Sequence, residues 1–181
     1  RAPAPSEVLD SNTTSLVREI SLEDLLGRRQ NRLNTNQISK LINNKVVLIT
    51  GAGGFIGRNV IDYYQAKNFN FILVDTEDCI ARHQLNKVTP FETIDWSTWD
   101  KPIDGIIHLG AISDTTCEDW SKLVYYNIEA SLEMVKLSRR FKVPMVYASS
   151  AAVYGDGQQG YSDAHSKNSA FEPLNLYGKS K

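Results

Sequence analysis

Tyr177 and Lys181 stand four residues apart in "LNLYGKSK", the last eight residues of a 181-residue chain. On a helix that spacing puts them on one face. Both side chains can take part in proton transfer. A phenol ionises near pH 10, so it acts as a base at neutral pH only where nearby positive charge stabilises the phenolate. Lys181, one helical turn on, would supply that charge. Ser150, in "ASSAAVYG", adds a hydroxyl at the end of an apolar run. The bland alternatives remain open: Y-x-x-x-K pairs arise by chance, and a serine at a strand end often bonds only to backbone. What decides between them is what surrounds these residues in the chain.

A second group of residues could hold a nucleotide. "TGAGGFIG" runs from Thr50 to Gly57, directly after the strand-length apolar run "KVVLIT" and at the opening of a helical pattern. Gly51, Gly54 and Gly57 are spaced three apart, Gly53 adds a fourth glycine, and Phe55 and Ile56 lie between. Such a turn lets backbone approach a pyrophosphate, which then sits at the helix N-terminus among free N–H groups. Asp75 ends the next strand, 24 residues after Gly51, where a carboxylate meets the ribose hydroxyls of adenosine. The same charge would face a 2′-phosphate, so NAD is favoured over NADP. Arg58 and Arg82 keep NADP open as the alternative.

The elements that must position these groups follow an alternating pattern from residue 45 onward. Strands are expected at "KVVLIT", "FNFILVD", "GIIHLGA" and "PMVYASSA", with a short one at "FETID"; helices are expected at "RNVIDYYQAK" and "NIEASLEMVKLSRRF". Apolar runs alternating with helices predict an α/β fold, a Rossmann-like doubly wound parallel sheet covered on both faces. That topology puts Ser150 at the carboxyl end of a strand, where open sheets place their ligands. His108 reads as a core histidine and Cys117 as a small packing residue. Asn127 falls at the start of the long helix, where an N-cap is one reading. Residues 1–44 read as a lead-in with two short helices, a flap docked on the main body.

Bulk properties narrow the classes. Hydrophobic residues at 41% and charged residues at 23% fit a globular chain with a real core. Twenty basic against 21 acidic residues leave a net charge of -1, which excludes the electrostatic footprint of a nucleic-acid binder. No apolar run is long enough to span a membrane, and the N-terminus lacks a signal-peptide core. Two cysteines and three histidines without metal spacing predict free thiols, no metal site and a cytoplasmic protein.

With "TGAGGFIG", "HLGA", "ASSAAVYG" and "YGKSK" in this order, residues 45–181 resemble the extended short-chain dehydrogenase/reductase family of nucleotide-sugar epimerases and dehydratases. Within it, "HLGAISDTT" and "YASSAAVYG…EPLNLYGKSK" look most like the ADP-glycero-manno-heptose 6-epimerases. "VREISLEDLLGR…ISKLINNKVVLITGAGG" is instead similar to the segment before the Rossmann domain in polysaccharide-biosynthesis 4,6-dehydratases. The resemblance implies that Tyr177 is the general acid/base and that Lys181 binds the nicotinamide ribose. It makes Ser150 a hydrogen-bond partner of the reacting hydroxyl. Leu109, Gly110, Ala111 and Asn127 join Gly51, Gly53, Gly54, Phe55, Ile56, Gly57 and Asp75 around the cofactor, with Thr115 and Thr116 lining the pocket.

The implied reaction removes a hydroxyl proton and a carbon-bound hydride from an ADP- or UDP-linked sugar, then returns the hydride to the other face. A 4,6-dehydratase is the runner-up: the better-known ones place Asp-Glu directly after the hydroxyl residue, whereas Ala151 and Ala152 stand there and cannot transfer a proton. UDP-hexose 4-epimerisation is a further alternative. The family continues for over a hundred residues past this lysine, so the chain is expected to stop before the substrate-binding part. It could then be an inactive cofactor-binding fragment by itself. A homodimer through the helices around 128–141 and Tyr177 is also implied.

Overall fold

The computed structural model describes residues 44–65, 69–162 and 164–181. All of them belong to the compact unit Lys40–Lys181. The expected lead-in helices and the dehydratase-like stretch before residue 44 lie outside the described residues.

Five strands form one parallel sheet in the order β3-β2-β1-β4-β5. They are β1 (Val46–Thr50), β2 (Asn70–Asp75), β3 (Thr89–Pro90), β4 (Gly105–His108) and β5 (Met145–Tyr147). The sheet is built outward from β1, which pairs with β2 in the register Thr50↔Val74 and with β4 in the register Thr50↔His108. The order reverses between β1 and β4, and in open parallel sheets ligands sit in the crevice beyond such a reversal.

The central strands form where the sequence is continuously apolar because both faces are covered; β5, at the sheet's edge, departs from that expectation, with Val146 exposed. Alternate β1 residues enter opposite cores. Leu48 packs with Val74, Ile106, Met134 and Leu137, while Val47 and Ile49 pack with Ala52, Val60, Ile61 and Leu73. Leu48 and Ile49 are fully buried. At the mouth of β1, Asp104 receives both the Val46 backbone N–H (2.9 Å) and the Lys45 ammonium (2.9 Å), which pins the strand's entry.

Helices α1 (Phe55–Gln65) and α2 (Glu77–His83) follow β1 and β2. The expected strand at "FETID" is instead the two-residue β3 and a 3₁₀ turn at Phe91–Thr93. Pro90 has no N–H for a ladder, and Thr93 Oγ1 bonds the Pro90 carbonyl at 2.9 Å, closing the chain into a turn.

The long helix starts earlier than expected. Asp119 caps α3 (Trp120–Leu123) by accepting from Lys122 N at 3.0 Å; a π-helical turn (Val124–Glu129) and α4 (Ala130–Phe141) run on from it. Asn127 is therefore in mid-helix rather than an N-cap. Met134 and Leu137 of α4 pack with Leu48, Val74 and Ile106, so the helix's apolar side is spent on the core, while buried Ala130 lines the cleft described below. A one-turn helix, α5 (Leu176–Lys179), carries Tyr177. Among the described residues no helix is long and apolar enough to cross a membrane.

Candidate cofactor cleft and proton-transfer site

The chain leaves β1 at Gly51 with φ of 70°, a left-handed conformation that a side chain resists. A Cβ there would lie 2.6 Å from Gly110 N and 2.8 Å from the Leu109 carbonyl carbon, so this turn and the end of β4 touch backbone to backbone. Leu109 N donates to the Thr50 carbonyl and Gly110 N to Thr50 Oγ1, both at 3.1 Å, holding that contact. A cleft of about 710 Å³ opens above it. Gly51, Gly54, Phe55, Ile56 and Gly57 line one side; Leu109, Gly110 and Ala111 line the other, with Asp75 at one end.

Gly53 does not line the cleft; it is buried and donates its N–H to Asp75 Oδ2 at 2.7 Å. Asp75 Oδ1 accepts from Thr76 N at 2.8 Å. The Cys79 thiol also bonds this carboxylate, so Asp75 is oriented by three donors and, with about four acceptor sites in all, can still accept from a ribose hydroxyl. These features fit a dinucleotide: a close-packed glycine turn at the N-terminus of α1 for its phosphates, and a fixed carboxylate acceptor for a ribose hydroxyl.

Sequence reasoning misses other cleft residues. Phe91 and Tyr126 stand on the wall near Asp78 and Arg82. Tyr126 donates its hydroxyl to Glu92 Oε1 at 2.9 Å, and burial together with that carboxylate pushes the phenol up to about 12. No motif marks Phe91, because its position follows from the 3₁₀ turn after β3. Arg82, the NADP candidate, does line the cleft but is ion-paired to Asp78 on its own helix. Cys79 shares this wall, and burial plus the nearby Asp75 raise its thiol to about 11.

Tyr177 lies in α5 and Lys181 two residues past its last residue, so the two do not share a helix face as the spacing predicts; the Ser150 turn packs on α5. Ser150 Oγ caps a 3₁₀ turn, Ala151–Tyr154, by accepting from Ala152 N at 3.2 Å. Asn175 caps α5, its Oδ1 accepting from Gly178 N at 2.7 Å. A Cβ on Gly178 would lie 2.7 Å from the Ala152 carbonyl oxygen, so the two turns pack directly on one another. Tyr177, next to that contact, is buried. Lys181 is half-buried with its Nζ 4.5 Å over the Tyr147 ring centroid, and desolvation lowers its ammonium to about 8.

Asn127, only 1% exposed, joins the cleft to α5. Its Oδ1 accepts from Ile112 N (2.7 Å), and its Nδ2 donates to the Ile112 carbonyl (3.1 Å) and to Ser180 Oγ (2.7 Å). The π turn makes this geometry available: the Ala130 N–H reaches back five residues to the Tyr125 carbonyl, widening the helix where Asn127 projects. Thr115 and Thr116 lie exposed in the loop after β4, where Asp114 holds Thr116.

The structure does not gather all the expected residues in one cavity. Asn127, Ser131, Tyr147, Ser180 and Lys181 line a second cavity of about 700 Å³. Ser150 and Tyr177 line neither. His108 lines the cleft, and its partners Ser131 and Tyr147 line the second cavity.

His108 is buried as expected of a core histidine. Its Nδ1 meets Thr50 Oγ1 at 2.5 Å and its Nε2 meets Ser131 Oγ at 2.9 Å. Burial, reinforced by the Lys181 charge, lowers its pKa from 6.5 to about 4. Between those values the unfolded chain binds a proton that the folded chain refuses, so stability falls as pH drops through this window. About 3 kcal/mol should be lost between pH 6.5 and 4, beyond any change in a His108→Gln variant. Urea unfolding at a series of pH values checks this; parallel losses in both proteins would show that His108 is not responsible.

Two curated relatives are similar to this chain. The ADP-L-glycero-D-manno-heptose-6-epimerase of Brachyspira hyodysenteriae (strain ATCC 49526 / WA1) is 30% identical over 148 residues, 75% of this chain and 46% of the relative. That of Alkalilimnicola ehrlichii (strain ATCC BAA-1101 / DSM 17681 / MLHE-1) is 29% identical over 147 residues, again 75% of this chain and 45% of the relative. The chain thus spans about half the length of the curated relatives it matches. The crystal structure of Helicobacter pylori ADP-L-glycero-D-manno-heptose-6-epimerase superimposes with a TM-score of 0.56 at 25% identity, covering 77% of this chain and 48% of that one. The glycine turn, the reversed sheet order and the Tyr177 helix all lie within residues 47–181, which match the model of the NAD dependent epimerase/dehydratase family, and the chain belongs to that family.

Proposed function

We propose that this chain is the cofactor-binding and proton-transfer half of a nucleotide-sugar epimerase acting on ADP-glycero-manno-heptose at C6. The observation that carries the reading is the direct backbone packing of the Ser150 turn on the Tyr177 helix through Gly178. In this reading that packing serves to hold the Ser150 hydroxyl and the Tyr177 phenol in a fixed relation. The names of the two curated relatives support the choice of sugar.

In this mechanism Tyr177 takes the proton of the reacting hydroxyl and later returns it. Ser150 holds that hydroxyl in line with the phenol oxygen. Lys181 supplies the positive charge that makes a phenolate accessible near neutral pH. A bound nicotinamide supplies a hydride acceptor that also gives the hydride back. Gly51, Gly54 and Gly57 would take its pyrophosphate and Asp75 its adenosine ribose, while Asn127 keeps the Ile112 loop and α5 at a fixed separation. The turn that Ser150 caps begins with Ala151 and Ala152, which offer no acid for eliminating water; this favours epimerisation over dehydration.

The test uses the whole protein that carries this chain, incubated with ADP-glycero-manno-heptose and followed by proton NMR. Interconversion of the two C6 epimers without net change in nicotinamide absorbance is the expected result. Formation of a 4-keto-6-deoxy sugar, or stoichiometric consumption of cofactor, would overturn it.

NAD is the cofactor in this reading. A 2′-phosphate would meet Asp75, and Arg82 is already engaged by Asp78. Calorimetric titration should show NAD⁺ binding about 10-fold or more tighter than NADP⁺, a gap of ~1.4 kcal/mol or more. Asp75→Asn should narrow that gap, and equal affinities in the unaltered chain would remove the preference. A cytoplasmic homodimer belongs to the same proposal. Since Met134 and Leu137 are spent on the sheet, pairing would use the opposite side of α4, where Leu132 is exposed.

A further inference from the structure

We propose that Tyr147 is a positioning residue for Lys181, its ring fixing where the ammonium stands, and that His108 holds that ring in place. The inference rests on the reading of Lys181 as the cation that serves Tyr177, and extends it to Tyr147 and His108, to which the resemblance gives no role. Among the described residues Lys181 forms no ion pair. Its charge instead lies 4.5 Å above the centroid of Tyr147, where the negative face of the ring attracts it.

The same tyrosine meets Lys181 a second time. The Tyr147 hydroxyl donates to the backbone oxygen of Lys181 at 3.3 Å. Main chain and ammonium therefore both rest on one side chain, which restrains a four-carbon stem otherwise free to sample many rotamers. Tyr147 in turn has little freedom. It sits on β5, paired to His108 across the sheet, with its ring stacked on the imidazole at 5.7 Å and 22°. The imidazole is fixed at both nitrogens by Thr50 and Ser131. A neutral His108 also leaves no second cation under the ring to compete with Lys181.

The alternative is that Tyr147 merely fills space in the cavity wall. A ring placed under an ammonium shifts the resonances of nearby nuclei upfield, whereas a space-filling leucine does not. The experiment is therefore NMR of the chain with its lysines ¹³C-dimethylated, which preserves their charge, and with the Lys181 signal assigned by its absence in Lys181→Arg. The Lys181 methyl signal should lie upfield of the other lysines in the unaltered chain and in Tyr147→Phe. In Tyr147→Leu it should return to the common position.

A Lys181 signal at the common position in the unaltered chain would overturn the proposal, and that arm needs no variant to fold. So would an upfield signal unchanged in a folded Tyr147→Leu. In the whole enzyme, Tyr147→Leu should lower kcat about 10-fold or more with KM little changed, while Tyr147→Phe stays within about 3-fold. If the whole protein proves not to be an epimerase, the NMR arm still reports on the seat itself, so the two failures are distinguishable.

Discussion

Gly57→Ala is expected to abolish cofactor binding and to destabilise the fold by about 3 kcal/mol or more. The reason is space. A Cβ on Gly57 would overlap the Gly51 carbonyl oxygen and lie 2.9 Å from both the Cα and the carbonyl oxygen of Ala52. All three are backbone atoms, so no side chain can swing aside. Relief requires moving the first turn of α1 away from the end of β1, which pulls the helix N–H groups from the place where phosphates would sit. It also strains the Thr50–Gly110 contact that joins β1 to β4. Gly105→Ala is the internal control. That glycine is also buried, but its new Cβ would meet nothing closer than the Pro144 carbonyl oxygen at 3.7 Å, an ordinary contact. Urea unfolding and calorimetric titration with NAD⁺ read both effects. If Gly57→Ala unfolds at the same urea concentration as the unaltered chain, the close approach of α1 to β1 is wrong.

The second large effect belongs to Gly178. Gly178→Ala would push its Cβ to 2.7 Å from the Ala152 carbonyl oxygen and 2.9 Å from Pro173 Cβ. The α5 helix and the Ser150 turn must then separate by several tenths of an ångström or more. Tyr177 precedes this glycine directly, so the separation falls between the hydroxyl and phenol assigned to proton transfer. A misplacement approaching 1 Å costs about 100-fold in rate. The whole enzyme carrying Gly178→Ala should therefore lose about that factor in kcat. Affinity for NAD⁺ should change little, because the glycine turn, Asp75 and the end of β4 are untouched. A kcat within about 2-fold of the unaltered enzyme would mean that Ser150 and Tyr177 need not be held by this contact.

The sequence was most legible where one interaction dominates. β1, β2 and β4 are buried on both faces, so their apolar runs mark them plainly. The glycine turn is equally legible, because its close contacts are made to backbone and leave no latitude for side chains. Legibility failed where a local choice was settled by a distant partner. "FETID" has the residue types of a strand, but Pro90 and the Thr93 hydroxyl turn it over, and Glu92 is then used to receive Tyr126 and the Glu77 N–H. The α2 helix carries few apolar residues, so its periodicity is faint; its signals are the Thr76 cap, acids in the first turn and basic residues in the last. Asp119 likewise marks the true start of the long helix, though the eye is drawn to Asn127. Asn127 itself could be read as part of the site, but not its three bonds, since Ile112 and Ser180 lie 15 and 53 residues away in the chain. Nor does any spacing rule connect Tyr147 to Lys181.

The π-helical turn has a consequence for how this part of the chain tolerates changes in length. A helix that reaches back five residues instead of four holds one residue more than its rise requires. The surplus lets Asn127 point toward Ser180 while Met134 and Leu137, farther along, still face the sheet. Removing a single residue between Val124 and Glu129 would restore ordinary winding and leave every hydrogen bond of the helix intact. The segments on either side would keep their phase, because the surplus residue is what the wide turn absorbs, but the widening that aims Asn127 at Ile112 and Ser180 would be gone. A deletion that improves the helix as a helix would thus uncouple the two halves of the site, whereas loops such as 156–160 can change length without that penalty.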